Sequence, residues 1–152
     1  MSPEPTRWSA MARSEGHPRG AWIIAGARAL LGQPFKPQGR GEGGQDCLGL
    51  VIAAARSGGI KIADHGNLPL RGLTIEEACE MLARAGCCGL AVPDGRPGDV
   101  ILKVPAARQI HLAVLTDVGI LEAHGGLRRV IERPIAAGES WHSAWRLPMG
   151  ED

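Results

Sequence analysis

The chain has 152 residues, enough for one domain with a full hydrophobic core. Lys and Arg number 17 against 16 Asp and Glu, a net charge of +1, so no basic surface argues for a nucleic-acid partner. The 4 Trp, 1 Phe and absent Tyr give little for stacking on single strands, and no apolar run approaches the roughly 18 residues of a membrane span.

Residues 1–20, MSPEPTRWSAMARSEGHPRG, mix Pro, Ser, Arg and Glu and read as an extended arm. They lack the apolar stretch of a secretory signal, so the protein is expected to be made where thiols stay reduced. A single domain is expected over 21–150. AWIIAGARALLG predicts a first helix with Trp22, Ile23, Ala27, Leu30 and Leu31 toward the core, stopped by Gly32 and Pro34. QPFKPQGRGEGGQ is a long loop, and its glycines cradle no phosphate because no Gly-Lys-Ser/Thr follows. A second helix starts at Cys47 and ends near Ser57-Gly58-Gly59.

TIEEACEMLARAG predicts a third helix, with Thr74 and Glu77 forming a capping box. Its apolar face carries Ile75, Ala78, Cys79 and Leu82, and Gly86 closes it. Short β-branched segments follow: GDVILKV, IHLAVL, GILEAH, LRRVIERPI and SAWRLP. Helices first and a strand meander afterwards predict an α+β domain with an antiparallel sheet.

Four cysteines stand at 47, 79, 87 and 88 without a CxxC pair, and adjacent Cys87 and Cys88 make a poor disulfide framework. Cys79, Cys87, Cys88 and His65 do not have the spacing of common zinc sites, so neither metal nor cofactor is expected. Cys47 differs from the others because it opens a helix, where the N-terminal partial charge favours a thiolate. A thiol nucleophile needs an imidazole, and the imidazole needs a polar group to orient it.

His111 and His124 lie in consecutive strands. If the hairpin closes about Asp117-Val118, residues whose numbers sum to 235 face each other, and these two do. A four-residue loop from Thr116 to Gly119 keeps that register, with Gly119 expected in the left-handed position.

The segments ARALLGQPFKPQGRGEGGQDCLGLV, RPGDVILKV, IHLAVLTDVGILEAHGG and AWRLP together resemble the NlpC family of papain-like cysteine peptidases. The resemblance is strongest to the branch found in tailed-phage and gene-transfer-agent tail tips, and it covers about Ala21 to Pro148. It implies the papain-like fold, with N-terminal helices packed on a C-terminal antiparallel sheet. It also implies Cys47 as nucleophile, His111 as general base and His124 as the orienting residue. Asp46, Phe35 and Leu48 match positions that line the substrate cleft, Asp46 as an acidic contact to the free amino end of a stem peptide. Phe35 replaces the usual tyrosine and Leu48 the usual serine. The implied activity is hydrolysis of peptidoglycan stem peptides after γ-D-glutamate, on a virion-like tail among other tail-tip or hub proteins. The implied rival is a catalytically weak structural component of the same assembly.

Overall fold

Three helices precede the main sheet in the computed structural model, which describes residues 19–35, 40–41, 44–62, 73–90, 95–106 and 109–148. Most of the expected arm, together with His17, His65 and part of the glycine loop, lies outside the described residues. Helix α1 (Gly20–Arg28) buries Ile23, Ile24 and Ala27. It departs from the expected stripe: Trp22 is 68% exposed and Leu31 43% exposed. Ile23 and Ala27 lie one turn apart and define the buried face, which leaves Trp22 beside it. The helix ends at Arg28, so Leu30 and Leu31 belong to the following turn.

In the loop, β1 (Arg40–Gly41) pairs with β2 (Gly44–Gln45) just before α2 (Cys47–Ser57). Asp46 is the N-cap of α2, its Oδ1 accepting the Gly49 amide at 2.7 Å. Eight of its 11 residues are buried, as a helix enclosed between α1 and the sheet requires. At its far end Arg19 donates to the Gly58 carbonyl at 2.7 Å. There α1 and α2 touch so closely that a Cβ on Gly26 would sit 2.3 Å from Ser57 Cβ. Helix α3 (Ile75–Arg84) carries the expected capping box: the Glu77 amide donates to Thr74 Oγ1 at 3.1 Å and the Thr74 amide to Glu77 Oε1 at 2.9 Å. Ala78 and Leu82 are buried, Ile75 and Cys79 pack beside them, and Gly86 at φ 91° ends the segment.

The sheet comprises β3 (Cys88–Leu90), β4 (Val100–Ala106), β5 (Gln109–Leu115), β6 (Ile120–His124), β7 (Arg129–Arg133) and β8 (Ser143–Arg146). Every pairing is antiparallel, in the order β3-β8-β4-β5-β6-β7. The meander therefore holds for β4 to β7. β8 instead crosses back to β4, and β3 is a strand that the sequence pattern did not suggest. Alternation sorts the side chains by face. Val100, Leu102, Leu112, Val114, Leu121, Ala123 and Val130 join the helices in the main core. Ile101, Ala113, Leu115, Ile120 and Ala144 form a second cluster with Leu90, Ile135 and Trp141. Two ion-pair ties hold this frame. Arg146 grips the fully buried Asp99 through both carboxylate oxygens, at 3.0 and 2.9 Å. Arg28, at the end of α1, bridges Asp117 in the β5–β6 turn and Glu132 in β7.

The β5–β6 turn fixes the register on which the site depends. Val114 pairs with Leu121 and Leu115 with Ile120, the register expected from a four-residue loop. Thr116 builds that loop: its Oγ1 accepts the amides of Val118 at 3.1 Å and Gly119 at 2.9 Å. Gly119 does not take a positive φ, contrary to expectation. Glycine is needed there for space, because a Cβ would lie 2.2 Å from the Arg133 carbonyl oxygen and 2.8 Å from Pro134 Cα. Gly119→Ala should therefore cost about 1–3 kcal/mol in urea unfolding. Gly125→Ala, where a Cβ meets nothing within 4 Å, should stay within about 0.5 kcal/mol of wild type.

Candidate active site

Cys47 is the first residue of α2 and is buried, with the His111 side chain near enough for the thiol to favour a protonated imidazole. His111 stands near the start of β5 and pairs across the sheet with Lys103 of β4. Its Nε2 lies 2.8 Å from Oε1 of Glu122. The structure thus brings Cys47 and His111 together, but the residue bonded to the far side of the ring is Glu122.

The reason lies in the strands. β5 stays paired with β4 as far as His111, and β6 with β7 as far as His124. The β5–β6 ladder itself stops at Val114–Leu121. Beyond that point no register pair joins the two strands, and no hydrogen bond joins His111 to His124. Glu122 lies on the same face of β6 as His124, two residues nearer the turn, and its long side chain makes the diagonal contact. His124 is occupied elsewhere: its Nδ1 accepts the Leu127 amide at 3.0 Å and shapes the β6–β7 turn.

The remaining positions taken from the sequence also have local tasks. Asp46 is 8% exposed and caps α2. Leu48 is buried in the main core. Phe35 is half-buried against that core, its amide donating to the Arg128 carbonyl at 2.9 Å. The signal for Glu122 was visible in the sequence: it is the one acidic residue in GILEAH, and a carboxylate in an apolar strand must find a partner.

Glu122 has two. Arg133 Nε donates to its Oε2 at 2.6 Å while His111 holds Oε1. Arg133 also forks onto Glu139, Nη1 to Oε1 at 2.8 Å and Nη2 to Oε2 at 2.7 Å. Lys103 Nζ and the Ala136 amide complete the shell of Glu139. Burial pushes the Glu122 carboxyl up, but the bonds from His111 and Arg133 prevail and bring it to about 2. Burial pulls the His111 imidazole down, yet its bonds to Cys47 and Glu122 outweigh this and push it up to about 9. An imidazole protonated at neutral pH, between a sulfur and a carboxylate, can hold a thiolate and deliver a proton. Cys79 and Cys87 are different: burial raises both thiols, Cys87 to about 11. Among the described residues no group of three or more His, Cys, Asp or Glu could hold a metal ion. No helix among them is long and apolar enough to cross a membrane.

The site is thus a thiol at a helix start beside an imidazole–carboxylate pair on an antiparallel sheet. Solved structures narrow the fold to the NlpC/p60 type. The NlpC/p60 domain of the peptidoglycan hydrolase SagA superposes with a TM-score of 0.56 at 18% identity, over 82% of this chain and 96% of that one. The peptidoglycan hydrolase RipB from Mycobacterium tuberculosis gives 0.59 at 21%, over 94% and 68% of the two chains. RipD from the same organism, described as a non-catalytic NlpC/p60 domain protein adapted to peptidoglycan binding, gives 0.57 at 19%, over 86% and 97%. No family model and no curated protein matches the sequence. The chain has the NlpC/p60 fold, α+β as its order of elements predicts.

The charged pair makes stability depend on pH at both ends. The raised imidazole contributes fully below its ordinary 6.5, and this contribution is lost as pH rises through about 9. The depressed carboxyl contributes above its ordinary 4.5 and loses this as pH falls toward about 2. Urea midpoints should therefore plateau in the mildly acidic range and decline on either side. In His111→Gln the alkaline decline should flatten; an unchanged decline would assign it to another group.

Proposed function

We propose that this protein is a cysteine peptidase that cuts amide bonds in peptidoglycan stem peptides. The observation that carries the proposal is the Cys47–His111–Glu122 constellation, in which His111 bonds Glu122 and stands beside the Cys47 thiol. The Cys47 thiolate attacks the carbonyl carbon, and the negative charge moves to the carbonyl oxygen. His111 gives its proton to the leaving amine as the C–N bond breaks, leaving a thioester on Cys47. A water then loses a proton to His111, attacks the thioester and releases the acid with the thiol restored. Asp46 takes the Gly49 amide through its side chain and the Leu50 amide through its carbonyl. The Cys47 and Leu48 amides, ahead of these in the first turn, are the proposed oxyanion donors. Glu122 keeps the ring oriented and stabilises its charge.

The motif resemblance supports the bond after γ-D-glutamate as the one cut, and a place on the tail tip of a phage-like or gene-transfer-agent particle. The fold shared with peptidoglycan hydrolases supports the substrate class. Purified sacculi incubated with the protein should release muropeptides whose masses report the bond, and Cys47→Ala should release none. Wild-type protein that binds sacculi and releases nothing would overturn the enzyme reading in favour of a binding role. Purified particles that lack the chain would remove the tail-tip part and leave the peptidase part intact.

The geometry also ranks the two residues of β6. Glu122→Gln should lower kcat about 100-fold or more, because the charge that stabilises the imidazolium is gone. His124→Ala should leave kcat within a few-fold of wild type, since the side chain serves a turn. Muropeptide release rates for the two variants check this, and the reverse ranking would restore His124 as the orienting residue.

A further inference from the structure

We propose that Arg133 is a positioning residue for the thiol–imidazole pair, its guanidinium fixing the Glu122 carboxylate by gripping Glu139 at the same time. The catalytic meaning of this rests on the peptidase reading; the geometry stands without it.

A glutamate has three side-chain torsions, so one bond from a ring nitrogen does not fix its carboxylate plane. Here both oxygens are engaged, Oε1 with His111 and Oε2 with Arg133 Nε. Arg133 would itself be a long, mobile side chain, 28% exposed, without a second anchor. Glu139 is that anchor, accepting from both terminal nitrogens of the guanidinium. Glu139 is held in turn by the Ala136 amide and by Lys103. Lys103 is the cross-strand neighbour of His111, so the arc returns to the strand beside the imidazole.

Each charge in the arc comes from a different segment: His111 from β5, Glu122 from β6, Arg133 from β7, Glu139 from the β7–β8 connection and Lys103 from β4. With Cys47 as thiolate the six charges alternate in sign and cancel. Of these, Cys47 and Glu122 bear directly on His111, and Asp46 stands beside Cys47 at the start of α2. A planar fork with five donors can hold two carboxylates in fixed relative orientation, which an ammonium cannot.

The proposal predicts a sign opposite to that of simple charge proximity. A cation near an imidazole disfavours its protonation, so as a bystander Arg133 would hold the His111 titration down. As the residue that fixes Glu122, it holds that titration up. The measurement is a ¹⁵N imidazole NMR titration of the full chain, with the His111 signals assigned by their loss in His111→Gln. Arg133→Lys keeps the charge and removes the fork; Arg133→Gln removes both. Both variants should titrate at lower pH than wild type, Arg133→Gln by about one unit. An unmoved midpoint in Arg133→Lys, or a raised one in Arg133→Gln, overturns the proposal. If Arg133→Gln does not fold, Arg133→Lys decides alone, since a partly exposed site that keeps its charge and stem tolerates that change. In muropeptide release both variants should lose kcat with KM little changed. A chain that releases no muropeptides still gives the titration, so failure of the peptidase reading and failure of this one are separate results.

Discussion

A carboxylate only 4% exposed, set in the middle of a sheet, imposes conditions on everything around it. Leaving such a charge unpaired costs several kcal/mol, so Glu122 needs a cationic donor for each oxygen. The strand order supplies them from the two neighbours, His111 on β5 and Arg133 on β7. This demand fixes the protonation of His111 and accounts for a cluster of charges on a sheet whose other inward positions are aliphatic. It also makes the β5–β6 register indispensable, because a slip of one residue would turn Glu122 into the opposite cluster. The Thr116 turn and the tight seat of Gly119 are how the chain holds that register.

Much of this architecture could be read from residue order. The capping box of α3 was explicit in Thr74 and Glu77, and the start of α2 followed from Asp46-Cys47 after a glycine loop. The strands β4 to β8 followed from β-branched runs between turns, and the hairpin register from one loop length. What periodicity does not carry is where two paired strands part. The step from His111–His124 to His111–Glu122 goes with a ladder ending at Val114–Leu121. Long side chains then meet diagonally, a contact that residue-opposite-residue arithmetic omits. Trp22 and β3 were missed for a related reason: both are settled by tertiary neighbours and not by local pattern.

The four cysteines show how one residue type acquires different roles from its surroundings. Cys87 is buried among apolar side chains, and Cys79 lies on the packed face of α3; burial raises both thiols. Cys88 is exposed on the edge strand β3. Cys47 is as buried as Cys87, yet it has a helix start behind it and an imidazolium in front. Burial alone therefore does not distinguish the surroundings of these two thiols; the neighbouring charges do.

Helix α2 also behaves as a lever. Its far end is wedged where Gly26 of α1 passes Ser57 with no room for a methyl group, and its near end bears the sulfur. At 11 residues the rod is about 16 Å long. Any side chain added at Gly26 must tilt or slide this rod, and the displacement appears at the tip that faces the imidazole. Misplacing a reacting atom by about 1 Å can cost about 100-fold in rate. Gly26, remote from the sulfur, thus shares in setting the alignment of Cys47 with His111. A side chain added along the seam between the two helices is therefore felt at Cys47.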